Sequence, residues 1–85
     1  MNFLEQIKKE REYQIKKWGD EFDKKNTFND WVSYICSYAS KHAIGLTSTN
    51  EEKVSSLIKV ATLAIAALEA YEKNNGFAPR HYDAN

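Results

Sequence analysis

The chain has 85 residues, a single cysteine, and twelve acidic side chains against twelve basic ones. A chain of this length makes one domain, residues 1–85, and buries only roughly 60–65% of the surface that its unfolded form exposes. Cys36 alone cannot form a disulfide within the chain, and no cysteine–histidine cluster has the spacing of a zinc site. The balanced charge argues against a DNA coat protein or a polybasic membrane binder. We therefore expect a homo-oligomer to stabilise the core.

The sequence predicts neither export nor membrane insertion. The first residues lack the apolar core and small-residue cleavage site of a secretory signal. The longest apolar run, residues 60–68 interrupted by Thr62, is about half of the roughly 20 residues that span a bilayer. We expect a cytoplasmic protein with no membrane role.

The first predicted helix covers residues 3–18. Asn2 followed by Glu5 is a capping pattern, and Gly19 ends the helix before a loop predicted over 19–26. The helical spacing predicts an inward stripe of Leu4, Ile7, Ile15 and Trp18.

Arg11 lies in the same stripe, where an apolar residue is expected. A buried arginine is costly unless it has a partner. Arg11 therefore either pairs with a carboxylate from another helix or faces a ligand.

The second predicted helix covers residues 28–43, and Thr27 with Asp30 marks its start. Its three- and four-residue spacing gives a polar-tipped aromatic stripe, formed by Trp31, Tyr34, Ile35, Tyr38 and His42. Such a stripe is usually core, but buried tyrosine hydroxyls require hydrogen-bond partners, and a ligand can supply them.

The third predicted helix covers residues 50–73 and is capped by Ser48 or Thr49 with Glu51 or Glu52 three residues later. It has two apolar faces, one with Val54, Leu57, Ile58, Ala61, Ala64, Ile65, Leu68 and Tyr71, the other with Val60, Leu63 and Ala67. We expect one face to pack inward and the other to form a subunit contact through residues 54–71. No run alternates as a strand does, so the predicted class is all-α, a compact three-helix domain.

The C-terminal tail, residues 74–85, is cationic and aromatic. Arg80 carries a planar five-donor fork, His81 titrates near neutral pH, and Phe77 and Tyr82 offer faces for stacking. This set suits a phosphorylated, ring-bearing ligand. The alternative is that an ordered tail packs against its own domain or a neighbouring subunit.

The order of these features resembles a known family. The segment at 10–19 reads Glu-Arg-Glu-Tyr-Gln-Ile-Lys-Lys-Trp-Gly, a helix led by Trp31 follows, and residues 57–69 close with a run rich in valine, alanine and leucine. Over roughly residues 3–72 the chain resembles small bacteriophage proteins related to the MazG-like, all-α nucleoside triphosphate pyrophosphohydrolases. The resemblance implies assembly into dimers or tetramers by helix packing.

The chain departs from that family where a metal would bind. MazG-like enzymes carry Glu-x-x-Glu and Glu-x-x-Asp pairs for magnesium, whereas residues 31–42 contain no carboxylate and the late pair is Glu69 with Glu72. We therefore expect no metal, no cofactor and no catalytic residue. An enzyme with an altered metal site remains the alternative, with ligands drawn from Asp20, Glu21, Asp23 or Asp30.

A protein that binds a nucleotide without turning it over needs cationic and aromatic side chains but no metal ligands. With the phage resemblance, this predicts an anti-defence protein in the host cytoplasm that sequesters a cyclic nucleotide or cyclic ADP-ribose-type immune signal. The candidate ligand-binding residues are Arg11, Lys17, Trp18, Trp31, Tyr34, Lys59, Phe77, Arg80, His81 and Tyr82. A helical protein–protein inhibitor or adaptor is a further alternative, and its signature would be an exposed apolar groove.

Overall fold

Three α-helices build the protein: α1 (Phe3–Lys25), α2 (Phe28–Ser40) and α3 (Asn50–Asn74). The computed structural model describes residues 2–43 and 48–79, without the side chains of residues 20–22. Within those ranges there is no strand, which confirms the all-α prediction. The tail residues Arg80, His81 and Tyr82 lie outside the described residues.

Each helix begins with the capping residue that the sequence predicts. Asn2 Oδ1 accepts from the Glu5 backbone N–H at 3.1 Å. Thr27 and Asp30 exchange side chain-to-backbone hydrogen bonds at the start of α2, and Thr49 and Glu52 do the same for α3. These bonds satisfy backbone donors that the first turn of a helix leaves unpaired.

The helix ends differ from the prediction in two places. Gly19 does interrupt α1, with φ 77° and ψ 172°, but helical structure resumes through Lys25, so the loop predicted over 19–26 is wrong. α2 ends at Ser40, three residues early, because residues 41–43 form a turn. The Ser40 hydroxyl donates to the Cys36 carbonyl at 2.8 Å in this last turn.

α3 is the central element, because both α1 and α2 pack along it. The fully buried Thr62 hydroxyl donates back to the Ile58 carbonyl at 2.6 Å. Ser56 crosses to α2, where its hydroxyl donates to the Tyr38 carbonyl at 2.5 Å. These bonds allow two polar residues to lie on the buried side of α3.

The core of the described chain is small. Its buried apolar residues are Trp31 and three alanines of α3, namely Ala66, Ala67 and Ala70. Many large apolar side chains remain exposed: Phe3, Leu4, Tyr13, Ile15, Trp18, Phe28, Val32, Leu57, Ile65, Leu68 and Tyr71. The predicted inward stripe of α1 is therefore wrong at three of its four positions, because a helical period gives spacing and not the direction in which a stripe faces.

The segment after α3 turns back across the molecule. Asn75 adopts the left-handed conformation that commonly ends helices, and Gly76 N–H donates to the Tyr71 carbonyl at 2.9 Å. Ala78 then forms a parallel bridge with Thr27, at the linker between α1 and α2. Phe77 is thereby placed against the start of α2.

α3 also has the length and composition of a membrane span, with a mean hydropathy of 1.5 over its most apolar 18 residues. Only 28% of that window is buried, although two helices cover one side. Length and hydropathy alone do not distinguish a span from the central helix of a compact domain.

Candidate functional site

An aromatic cluster brings together three of the predicted ligand-binding residues. Trp31 and Tyr34 meet edge to face, with ring centroids 6.4 Å apart. Phe77 packs on the same core cluster and contacts Phe28 at 5.3 Å and Tyr71 at 5.1 Å between centroids. Within the described chain these rings tie the segment after α3 to α2 and α3.

The interior of this cluster holds two unsatisfied donors. Asn26 Nδ2 and Trp31 Nε1 are buried and have no hydrogen-bond acceptor among the described residues. Tyr34 donates to Asn26 Oδ1 at 3.4 Å, so the amide is only half satisfied. Because Trp31 is 2% exposed, a base could stack on it only after the cluster opened.

Arg11 forms the structural ion pairs that the sequence left as one of two alternatives. Its Nη2 donates to Asp23 at 3.1 Å and its Nε donates to Glu69 of α3 at 2.9 Å. Burial by itself lowers the pKa of Arg11, but the hydrogen bonds and charges of Glu69 and Asp23 outweigh it and raise the pKa above its ordinary value. Arg11 therefore stays charged and bonded within the chain.

Lys17 and Trp18 form a separate patch on the outside of α1. The Lys17 ammonium lies 4.9 Å from the Trp18 ring centroid and 5.7 Å from that of Tyr13. Trp18 is 52% exposed and Tyr13 is 55% exposed. This is a solvent-facing cation–π contact, which stabilises the folded state only modestly.

Two lysines, one in the turn that follows α2 and one on α3, converge on one tyrosine at the C-terminal end of α2. Lys41 Nζ lies 6.0 Å and Lys59 Nζ lies 5.3 Å from the centroid of the Tyr38 ring. We name the surrounding depression the Tyr38 cleft. Its volume is about 400 Å³, and it is lined by Tyr38, Lys41, His42, Glu51, Glu52, Ser55, Ser56 and Lys59.

The Tyr38 cleft contains both acidic and cationic side chains. Hydrogen bonds from the backbone and the side chain of Thr49 lower the pKa of Glu52, and the positive charges of His42 and Lys41 lower it further. His42 Nδ1 lies 2.8 Å from the hydroxyl of Ser48. The carboxylate of Glu52 is therefore engaged at the helix cap, and Lys41 and Lys59 are the ammonium groups of the cleft that an incoming anion would meet.

The predicted site residues are thus distributed over several places. Arg11 lies in a groove of about 300 Å³ between α1 and α3, and Lys59 lies in the Tyr38 cleft. Neither depression contains a second member of the predicted set. The sequence analysis missed Lys41, although it lies three residues after Tyr38 and so on the same helical face.

The acidic residues named for an altered metal site are engaged elsewhere where the structure describes them. Asp23 pairs with Arg11, and Asp30 accepts from the Thr27 backbone N–H at 2.9 Å. In the described part of the chain, no group of three histidine, cysteine, aspartate or glutamate side chains is placed to hold a metal ion.

Comparison of the chain with protein-family models, with curated proteins and with solved structures finds no match.

Proposed function

We propose that this protein binds a phosphorylated nucleotide without turning it over, and that the Tyr38 cleft holds the phosphate. The observation that supports this most directly is the approach of two ammonium groups, those of Lys41 and Lys59, to the Tyr38 ring in one ligand-sized depression. Ammonium groups are suitable partners for a phosphate, and an aromatic ring can stack on any of the bases.

The biological role in this proposal follows from the resemblance described above. A small, cytoplasmic, phage-encoded protein that binds without catalysis acts as a sponge, removing a cyclic nucleotide or cyclic ADP-ribose-type signal that host defence produces. Sequestration requires tight binding and many copies, and a short chain that assembles with itself provides both.

Titration calorimetry on the intact protein tests the proposal. The probes are a cyclic dinucleotide, a cyclic ADP-ribose derivative and ATP. Lys59→Met should weaken binding about tenfold or more, since it removes a hydrogen bond between two charged groups. Lys53→Met is the matched control, because Lys53 is exposed on α3, does not line the Tyr38 cleft, and makes the same change of charge.

Arg80→Ala tests the tail separately. Because Arg80 is predicted to contact a phosphate, Arg80→Ala should weaken binding of the probe while the helical content stays unchanged. If no probe binds at millimolar concentration, the proposal is wrong.

Recovery of the bound nucleotide separates binding from catalysis. If the protein only binds, each nucleotide should be recovered unchanged after incubation with magnesium. Release of diphosphate from nucleoside triphosphates would instead support a MazG-like pyrophosphohydrolase with an altered metal site.

A second candidate function is supported by a different observation. Leu57 and Leu68 are each 64% exposed on α3, which is the apolar surface expected of a helical protein–protein inhibitor or adaptor. That function predicts no nucleotide affinity, so the same titrations distinguish it.

A further inference from the structure

One face of α3 is apolar and uncovered along most of its length. Leu57, Ala61, Ala64, Leu68 and Tyr71 follow one another at steps of four, three, four and three residues. This is the spacing with which helices pair along a seam. Leu57 and Leu68 are 64% exposed, Tyr71 is 52% exposed, and the two alanines between them are half-buried. α1 and α2 pack on the other side, through residues such as Ser56 and Ala66.

The order of large and small side chains along this face is the same in both directions of the helix. With Val54 included, the order is large, large, small, small, large, large, centred between Thr62 and Leu63. Reversing the helix about that centre places Leu57 where Leu68 was and Ala61 where Ala64 was. A surface with this property is complementary to a second copy of itself, as a two-fold symmetric contact requires.

We propose that two copies of this chain pair through the face formed by residues 54–71, which we call the seam. Their α3 helices are antiparallel, so that Leu57 of one copy lies at the level of Leu68 of the other. The alanines at 61 and 64 let the two backbones approach closely at the centre, while the leucines on either side fill the space. The contact is independent of any nucleotide.

The charges at the ends of the seam favour the antiparallel arrangement. Lys53 and Glu72 are equally distant from its centre. Antiparallel pairing puts Lys53 of one copy at the level of Glu72 of the other. Parallel pairing would put lysine with lysine and glutamate with glutamate, and like charges at one level oppose association.

The small core gives a reason for the pairing. In the part of the chain that the structure describes, the buried apolar core consists of Trp31 and three alanines, which is little for a domain of this length. Covering Leu57, Leu68 and Tyr71 in both copies would remove six large side chains from water. Phe3 borders one end of the seam and is 50% exposed, so the buried surface extends onto α1.

A lipid bilayer is the other occupant to distinguish, because α3 has the hydropathy of a membrane span. Self-complementarity and the end charges favour a second copy, since neither property is needed for contact with lipid. The test therefore includes vesicles as a separate arm.

Sedimentation equilibrium on the full chain, without nucleotide, tests the pairing. The wild type should be dimeric or a multiple of dimers at micromolar concentration. Leu57→Lys or Leu68→Glu alone should raise the dissociation constant at least about tenfold, because each places two charges in an apolar contact. Val32→Lys is the matched control: Val32 is exposed on α2, so the association should be unchanged.

The double variant Leu57→Lys with Leu68→Glu determines the orientation. In the antiparallel arrangement each introduced lysine meets an introduced glutamate, so association should recover relative to the single variants. Circular dichroism should show that every variant keeps its helical content, since the substituted side chains are exposed. No recovery in a folded double variant would overturn the antiparallel register.

Two further results would overturn the proposal as a whole. One is a wild-type chain that stays monomeric at about 100 µM, far above the concentrations at which specific interfaces of standard size associate. The other is a monomer that floats with phosphatidylcholine vesicles through the same leucines, which would assign the face to lipid.

Discussion

Arg11 and Asp23 lie twelve residues apart in the same helix, yet the Arg11 Nη2 to Asp23 Oδ2 distance is 3.1 Å. In an unbroken helix, twelve residues span about 18 Å along the axis. The contact therefore depends on the kink at Gly19. Because the same guanidinium also donates to Glu69 of α3, one side chain holds both halves of α1 against the central helix.

The ion pairs of Arg11 should contribute measurably to stability. Arg11→Met removes the positive charge beside Asp23, whose side chain is only 15% exposed. We expect the free energy of unfolding in urea to fall by about 2–3 kcal/mol, since the poorly solvated carboxylate of Asp23 loses a positively charged neighbour. Lys9→Met, an exposed position on the same helix, should change it by less than about 0.5 kcal/mol. Equal effects of the two variants would contradict this account.

Gly19 should not tolerate a side chain. Its φ of 77° with ψ of 172° belongs to a region that only glycine adopts readily, although a Cβ there would meet no atom within 4 Å. Gly19→Ala should therefore lose about 1–3 kcal/mol through backbone strain and not through a clash. In urea unfolding, Lys16→Ala is the comparison, because it changes an exposed helical residue nearby. A Gly19→Ala protein as stable as the wild type would show that the protein does not keep this backbone conformation at residue 19.

Phe77 should act first as a structural residue. It lies between Phe28 and Tyr71 and is more buried than either, so Phe77→Ala should lower the free energy of unfolding by about 2–3 kcal/mol. Phe3→Ala removes the same side chain from a half-exposed position and should cost less. If Phe77→Ala abolished nucleotide binding at unchanged stability, Phe77 would instead belong to the ligand site.

The capping box of α3 predicts a pH dependence with a definite sign. Hydrogen bonds from Thr49 hold the pKa of Glu52 below its ordinary value of 4.5. A carboxyl whose pKa is lower in the folded state stabilises the fold above the unfolded-state pKa, and that contribution is lost as the pH falls through the folded-state pKa. Titration of the Glu52 carboxyl carbon by NMR should show a midpoint below 4.5 in the wild type. Thr49→Ala removes the side-chain contribution and should move the midpoint upward only in part, because the backbone N–H of residue 49 still donates to Glu52. An unmoved midpoint would exclude the Thr49 side chain as a cause.

The helix caps of this fold were predictable from the sequence, because the residues that bond to each other in a cap are close in the chain. Asn2, Thr27 and Thr49 cap helices through bonds to residues three positions away, and each was identified from that spacing. The need of Arg11 for a carboxylate was also predictable, since burying an unpaired arginine is costly.

Features that depend on tertiary packing were not predictable in the same way. Glu69 could not be chosen as a partner of Arg11 before the packing of α1 on α3 was known. The acidic stretch after Gly19 indicated a solvated loop, but packing beside Arg11 supports a helical turn there. Lys41 was missed because a lysine near a helix end usually faces solvent, and its convergence with Lys59 requires two helices.

The parallel bridge between Thr27 and Ala78 also has a mechanical consequence. A pull on the chain beyond Pro79 would be transmitted first to the residue that caps α2 and only afterwards to the end of α3. A molecule that binds the chain beyond Pro79 would therefore stabilise or destabilise the first turn of α2, about a third of the way along the polypeptide.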